Sequence, residues 1–145
     1  FVRNQFFQKS RGKKTYKKWG KYRVQDAPCI CMKSRHTTAA GKVKRGTGSK
    51  RETPHWWKTK KVREFLKLNK KPTLRKAMDT SIDAVKEHHT RIKDEKPEKQ
   101  EHIAECLKLI HLEYLRSVAP KKRGKNGKLR PQTNKELLDQ QVFGP

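Results

Sequence analysis

The chain has few acidic and few aliphatic residues, and each shortage limits what kind of protein it can be. Its 145 residues include 14 Asp and Glu against 39 Lys and Arg, so the formal net charge is +25. Leu, Ile, Val and Phe total 27 residues, which is below the roughly 20% under which a highly charged chain tends not to form a full globular core. We therefore expect a mostly α-helical protein with a small core and long basic extensions.

Cysteine is also scarce, and no long apolar run is present. Cys29, Cys31 and Cys106 are too few, and odd in number, for a secreted disulfide scaffold, which favours a reducing compartment. No segment approaches the roughly 20 apolar residues of a transmembrane helix, so we expect no membrane span. The chain begins with Phe1 rather than Met, which a removed targeting peptide or other absent N-terminal residues would each explain.

The positive charge is unevenly distributed along the chain. Residues 1–61 carry a net charge of +17, residues 62–119 carry +3, and residues 120–145 carry +5. Like charges at this density disfavour a compact state unless a polyanion is bound. RNA or DNA phosphate is the obvious polyanion, because each neutralised phosphate releases condensed counterions.

The segment 1–52 mixes basic residues with aromatic residues and glycine, and it has no sustained helical or strand period. A solvated tail is one interpretation. RNA contact explains the pattern better, because Lys attracts phosphate while Arg and aromatic rings stack on unpaired bases. The residues predicted to bind RNA, including two in the next segment and three near the C-terminus, are Lys9, Arg11, Lys13, Lys14, Tyr16, Lys17, Lys18, Trp19, Lys21, Tyr22, Arg23, Lys33, Arg35, Lys42, Lys44, Arg45, Lys50, Arg51, Trp56, Lys58, Lys121, Lys122 and Arg123.

Residues 53–71 predict a short basic helix. Thr53 is suited to cap its N-terminus, Pro54 fits the first helical position, and Pro72 stops the helix after Asn69. An apolar stripe runs through the segment from Trp57 to Leu66. Its two adjacent tryptophans fit either a local hydrophobic anchor or a stacking surface for bases, and the sequence does not distinguish these roles.

Residues 73–118 predict an antiparallel helical hairpin, which is the clearest structural signal in the chain. Apolar residues recur at helical spacing on both sides of a break at residues 93–97, and Thr73 is suited to cap the first helix. A connection this short between two helices implies an antiparallel pair. The two stripes are Leu74, Ala77, Met78, Ile82, Val85, His89 and Ile92, then Ile103, Cys106, Leu107, Ile110, Tyr114 and Val118.

Leu109, Leu112 and Leu115 fall away from the second stripe. Two explanations stay open: these leucines dock on a neighbouring protein, or the helix over residues 57–66 folds across them and makes a three-helix cluster. Residues 119–145 read as a basic C-terminal tail, with a turn signal at Asn126 and Gly127.

Chemical motifs are weak. Cys29, Cys31 and His36 are low-ranking zinc candidates, because the spacing is unusual and a fourth ligand is needed. The glycines around Thr47 do not have the spacing of a phosphate loop. No nucleophile and base stand in a context that could build a pocket, so we expect neither an enzyme nor a cofactor nor a small-molecule substrate.

The composition resembles that of ribosomal proteins, and residues 33–50 resemble the basic segment of the bacterial large-subunit ribosomal protein thirty-five family. Residues 57–66 are similar to the basic helical part of its mitochondrial relatives. An inserted residue and the hairpin at 73–118 depart from the short bacterial pattern. The positions that match the bacterial segment are Ala39, Ala40, Lys42, Lys44, Thr47, Gly48 and Lys50.

The resemblance implies a structural rRNA-binding protein of a mitochondrial large ribosomal subunit, with rRNA and neighbouring ribosomal proteins as partners. Two alternatives remain from other classes. One is a chromatin or nucleoid protein that binds duplex DNA, and the other is a zinc-containing RNA-processing factor.

Overall fold

The computed structural model describes residues 21, 23, 26–32, 35–37, 40–45 and 53–142, with the backbone alone at 35–37 and 43–45. The predicted mostly helical class is confirmed. The described elements are the helices α1 (Pro54–Leu68), α2 (Leu74–His88), α3 (Pro97–Val118) and α4 (Asn134–Leu138), a 3-10 turn (Ile92–Asp94), and two antiparallel strand pairs, β1 (Arg35–Thr37) with β2 (Val43–Arg45) and β3 (Lys122–Arg123) with β4 (Leu129–Arg130).

Both predicted threonine caps are present. The Thr53 hydroxyl accepts a hydrogen bond from the Trp56 N–H, and the Thr73 hydroxyl accepts one from the Lys76 N–H, each at 3.4 Å. These bonds satisfy donors that the first turn of a helix leaves unpaired. The two helices therefore begin at the predicted residues, and α1 also ends beside Asn69 as predicted.

The end of α2 is one turn earlier than the apolar pattern predicts, because His89 caps it. The Nδ1 atom of His89 accepts hydrogen bonds from the backbone N–H groups of Arg91 and Ile92, each at 3.3 Å. The His89 ring therefore accepts two backbone N–H groups that would otherwise belong to a further turn of α2. Ile92 is buried, but it lies in the 3-10 turn rather than in α2.

One apolar cluster joins α1, α2, α3 and α4. Leu112 and Leu115 are buried in it, as the cluster alternative requires, but α4 rather than α1 is the additional helix that contacts α3. α2 contacts each of the other three helices, and His111 of α3 is one of the buried polar residues. Burial lowers the pKa of His111 to about 3, so its ring is neutral at physiological pH. The buried apolar members are Val62, Leu66, Leu74, Ala77, Met78, Ile82, Ala104, Leu112, Leu115, Ala119, Leu137, Leu138 and Val142.

The alternative in which Leu112 and Leu115 dock on a neighbouring protein is wrong for the folded chain. Their side chains are 4% and 1% exposed, because α3 is rotated so that they face the core, while Cys106 and Ile110 of the predicted stripe point outward. The physical reason is that α4 contacts α3 and adds its own leucines to the same cluster. An unrecognised helix therefore covers the surface that the sequence left without a partner.

The C-terminal segment is more ordered than predicted. Leu74 donates its N–H to the Gln140 carbonyl at 2.7 Å, and Val142 donates its N–H to the Pro72 carbonyl at 2.9 Å. Leu137, Leu138 and Val142 are buried. The segment thus returns to the start of α2 and closes the core.

Among the described helices, none combines the length and apolar character that crossing a bilayer requires.

Replacing Leu137 with Ala is expected to lower the free energy of unfolding by about 2–5 kcal/mol, because it empties a fully buried site. Leu129→Ala is the matched control: Leu129 is 64% exposed, and its loss is expected to change stability by less than about 0.5 kcal/mol. Urea unfolding followed by far-ultraviolet circular dichroism measures both. Equal effects of the two substitutions would contradict the placement of α4 in the core.

Candidate nucleic-acid interface

The described cations concentrate in a β-hairpin between α3 and α4, which we call the basic hairpin (residues 121–130). Its turn is built by Gly124 and Gly127: the Gly124 N–H donates to the Lys128 carbonyl at 2.8 Å, and the Gly127 N–H donates to the Gly124 carbonyl at 3.0 Å. Gly127 has φ of +73°, a conformation that glycine adopts readily. The predicted turn at Asn126 and Gly127 is confirmed as the tip of this hairpin.

The basic hairpin carries a positive charge that the rest of the described chain leaves unneutralised. Its strand residues are exposed, and the residues in its turn are exposed too, apart from a half-buried Gly124. Five cations form no ion pair with any carboxylate in the described part of the chain: Lys121, Lys122, Arg123, Lys125 and Lys128.

A sixth cation, Arg130, fixes the hairpin to α4. Its two guanidinium nitrogens donate to the two carboxylate oxygens of Glu136, each at 2.8 Å. The same carboxylate accepts the Thr133 N–H at 2.8 Å and completes a capping box. Arg130 and these Thr133 contacts hold the pKa of Glu136 far below its usual value. Arg130 is thus occupied in positioning the hairpin, and the other cations face solvent.

Two side chains attach the described part of the N-terminal segment 1–52, which we call the arm, to the helices. The Tyr114 hydroxyl on α3 donates to the Arg23 carbonyl at 2.7 Å and accepts the Arg23 N–H at 3.1 Å. The His89 Nε2 atom, at the end of α2, donates to the Cys31 carbonyl at 3.0 Å. The arm therefore passes along the helical body, and Lys21 lies in the same cleft as Lys121 of the basic hairpin.

Several predicted RNA-binding residues fall in the described chain at other places. Lys42 is exposed in the turn between β1 and β2, and the backbones of Arg35, Lys44 and Arg45 form those strands. The following predicted residues lie outside the described residues: Lys9, Arg11, Lys13, Lys14, Tyr16, Lys17, Lys18, Trp19, Tyr22, Lys33, Lys50 and Arg51.

The tryptophan pair has a local packing role. Trp57 stacks on His88 of α2, with ring centroids 5.9 Å apart and planes at 21°. Trp56 meets Trp57 edge to face at 4.8 Å, and the Lys60 ammonium lies 5.2 Å and 4.9 Å from their two ring centroids. Both rings are half-buried. Trp57 is therefore an anchor between α1 and α2, while Trp56 keeps part of its surface open to solvent.

Lys58 does not belong to the surface cations, and its predicted role in RNA contact is wrong for the folded chain. Its side chain is 2% exposed, because it lies on the same face of α1 as the buried Val62 and Leu66. Removal from water lowers the pKa of Lys58 to about 8. No described residue forms an ion pair with it.

The outer face of α3 has a different character from the basic hairpin. Leu109 is 58% exposed and Ile110 is 51% exposed. Exposed carboxylates flank them, and those of Glu98, Glu105 and Glu113 form no ion pair with a described residue. Leu109 keeps its predicted place on an exposed face, and Ile110 replaces Leu112 and Leu115 as its apolar neighbour.

The zinc hypothesis gains no geometric support from the described residues. Cys29 and Cys31 are exposed free thiols, and the His36 side chain lies outside the described atoms. Within the described chain, no group of three or more His, Cys, Asp and Glu side chains could hold a metal ion. The Cys31 backbone, rather than its thiol, makes the contact with His89.

The residues predicted to bind RNA leave out three cations of this surface: Arg116, Lys125 and Lys128. The two lysines belong to the polybasic run that starts at Lys121, so their charge alone could have identified them. Arg116 is one of three basic residues on a helix with four glutamates, and only the cleft that it lines together with Lys121 and Pro131 shows its position. Compared with protein-family models, curated proteins and solved structures, the chain matches none of them.

Replacing Lys58 with Met is expected to raise the free energy of unfolding at neutral pH. The Lys58 pKa is about 8 in the folded chain against an ordinary value of 10.5. The unfolded chain therefore binds the proton more tightly. The free energy of unfolding of the wild type therefore rises with pH between these two pKa values, by up to about 1.4 kcal/mol per pH unit. The difference in free energy of unfolding between Lys58→Met and the wild type shrinks over the same pH range.

The measurement is urea unfolding at several pH values from neutral to alkaline. Lys67→Met is the matched control, because Lys67 is an exposed residue on the same helix. A difference between wild type and Lys58→Met that stays constant with pH would contradict the burial of a charged Lys58.

Proposed function

We propose that this protein is a structural, non-enzymatic constituent of a ribosome that binds rRNA, most specifically in a mitochondrial large subunit. The observation that carries the proposal is the basic hairpin, a folded and exposed element with five cations that no described carboxylate neutralises. Its strands and turn place these cations close together along one short element. Such a surface fits a phosphate backbone, which presents charges at regular short intervals.

The mechanism of such a protein is electrostatic and geometric. Lysines of the basic hairpin screen the repulsion between phosphates of neighbouring RNA segments. The sequence of the arm supplies further cations and aromatic rings, and such rings can stack on unpaired bases. The protein then stabilises one arrangement of the RNA, and no chemical turnover is involved. The resemblance of residues 33–50 to a ribosomal protein family supports the choice of particle.

The outer face of α3 supplies the protein-protein part of this proposal. Phosphate is repelled by the carboxylates of Glu98, Glu105 and Glu113, so this face is unsuited to RNA. Exposed Leu109 and Ile110 favour an apolar contact. We assign the face to a neighbouring protein whose docking surface combines basic residues with apolar side chains, since that combination complements both features.

Removing two charges from the basic hairpin is expected to weaken RNA binding and reduce its dependence on salt. For Lys122→Ala with Lys125→Ala, the slope of log affinity against log salt is expected to fall by about 1–2, because each lost phosphate contact changes it by roughly 0.7–0.9. Fluorescence anisotropy with a structured RNA fragment measures the slope. Lys93→Ala with Lys96→Ala removes the same charge beside the acidic residues 94, 95 and 98, and it is expected to change the slope less.

Sedimentation of the endogenous protein from lysed cells and isolated mitochondria tests the choice of particle. Stoichiometric migration with the large ribosomal subunit, retained at high salt, is the expected result. Migration with the small subunit would correct the subunit, and release into light fractions or association with DNA would overturn the ribosomal proposal in favour of a chromatin or processing role.

Replacing Leu109 and Ile110 together with Ser is expected to weaken incorporation into the particle without changing RNA affinity. Both side chains are more than half exposed, so the loss reports on docking rather than on folding. The control is Ser at the exposed Leu68 of α1, which is 84% exposed and lies on a different helix. Competitive assembly with wild-type protein, followed by sedimentation, measures the effect. Equal incorporation of all variants would contradict docking through α3.

A further inference from the structure

A cleft of about 380 Å³ opens where the C-terminal end of α3 meets the base of the basic hairpin. Val118, Ala119, Pro120 and Pro131 contribute its apolar surface. Lys21, Arg116 and Lys121 contribute three cations, and none of them forms an ion pair with a carboxylate of the described chain. The cleft therefore combines an apolar floor with a cationic rim.

The walls of this cleft are fixed by contacts of their own. Gln132 donates from Nε2 to the Pro120 carbonyl at 2.7 Å, which holds the two ends of the basic hairpin together beside Pro131. Ser117 donates from Oγ to the Tyr114 carbonyl at 2.7 Å. Tyr114 in turn holds the Arg23 backbone on α3, two residues from Lys21. The cleft is thus formed before any ligand binds.

These features select one class of ligand. The volume is at the lower end of ligand pockets, which span about 300–1,000 Å³, and suits a single nucleotide. Aromatic bases are apolar on their faces, so proline rings and the Val118 side chain offer a stacking floor. The guanidinium plane of Arg116 can stack as well, and the two lysines attract the adjoining phosphates.

We propose that the cleft holds one unpaired nucleotide of single-stranded RNA, with its base on the apolar floor and its flanking phosphates on Lys21 and Lys121. This inference rests on the proposed RNA-binding function. It adds a preference for RNA with an unpaired base, which the basic hairpin cannot supply. Lysines on a hairpin attract any phosphate backbone, whereas a cleft that receives a base favours RNA with a nucleotide free of its stack.

The test compares two probes with equal charge: a single-stranded oligoadenylate and an abasic oligoribonucleotide of the same length. Full-length wild-type protein is expected to bind the oligoadenylate at least about fivefold more tightly, the lower end of the range for a stacked base. Ser117→Leu adds bulk at the wall of the cleft without changing charge, and it is expected to remove most of this preference while leaving affinity for the abasic probe within about twofold of wild type.

The matched control is Cys106→Leu, which adds similar bulk at an exposed position of the same helix and is expected to keep the preference. A second measurement uses wild-type protein alone: photo-crosslinking to an oligoribonucleotide that contains 4-thiouridine, with the crosslinked peptide identified by mass spectrometry. Crosslinks within residues 116–121 or at Pro131 are expected.

Each outcome decides a different part of the inference. Equal affinity of wild type for the two probes, an undiminished preference in Ser117→Leu, or crosslinks confined to other segments would overturn the nucleotide cleft while leaving salt-dependent RNA binding intact. If the wild-type protein binds none of the three RNAs (the oligoadenylate, the abasic probe and the structured fragment), the proposed function itself is overturned.

Discussion

Burial of Leu137, Leu138 and Val142 holds the C-terminal segment against the helical body, and the position of the basic hairpin depends on it. The hairpin connects α3 to α4, so both of its ends are fixed once α4 is packed. The backbone hydrogen bonds from Leu74 to Gln140 and from Val142 to Pro72 also fix the position of this segment against the start of α2. A small apolar contact therefore determines where a strongly charged element is displayed.

The distribution of carboxylates explains why the remaining charge is so localised. Nine of the 13 acidic residues in the described part of the chain form ion pairs with described cations, and two of these pairs, Lys86 with Glu101 and Lys108 with Asp79, join α2 to α3. Exposed ion pairs contribute little stability each. Their larger effect is to place most of the scarce negative charge beside cations of the body, so that within the described chain only Arg130 of the basic hairpin has a carboxylate partner.

The sequence predicted the helices that have strong local signals. Thr53, Pro54 and Thr73 mark the starts of α1 and α2 through cap chemistry that acts within one turn. The face of α3 was not predictable in the same way, because it is decided by α4, which has only five residues and too short an apolar pattern to recognise. The burial of Lys58 and the cleft beside Arg116 depend on tertiary contacts, and no residue spacing reports them.

The charge arrangement along α3 orients the protein in any assembly with RNA. Glu98, Glu105 and Glu113 line its outer face, whereas Arg116 stands in its last turn beside the basic hairpin. A cation at that end also complements the negative end of the helix dipole. In the proposed assembly, a phosphate backbone is attracted to the Arg116 end of this helix and repelled by the carboxylates along it, so the basic hairpin and the cleft are the surfaces assigned to the RNA. In the same proposal, Leu109 and Ile110 lie six to seven residues before Arg116 along α3, away from the cleft, where a basic neighbouring protein can contact them.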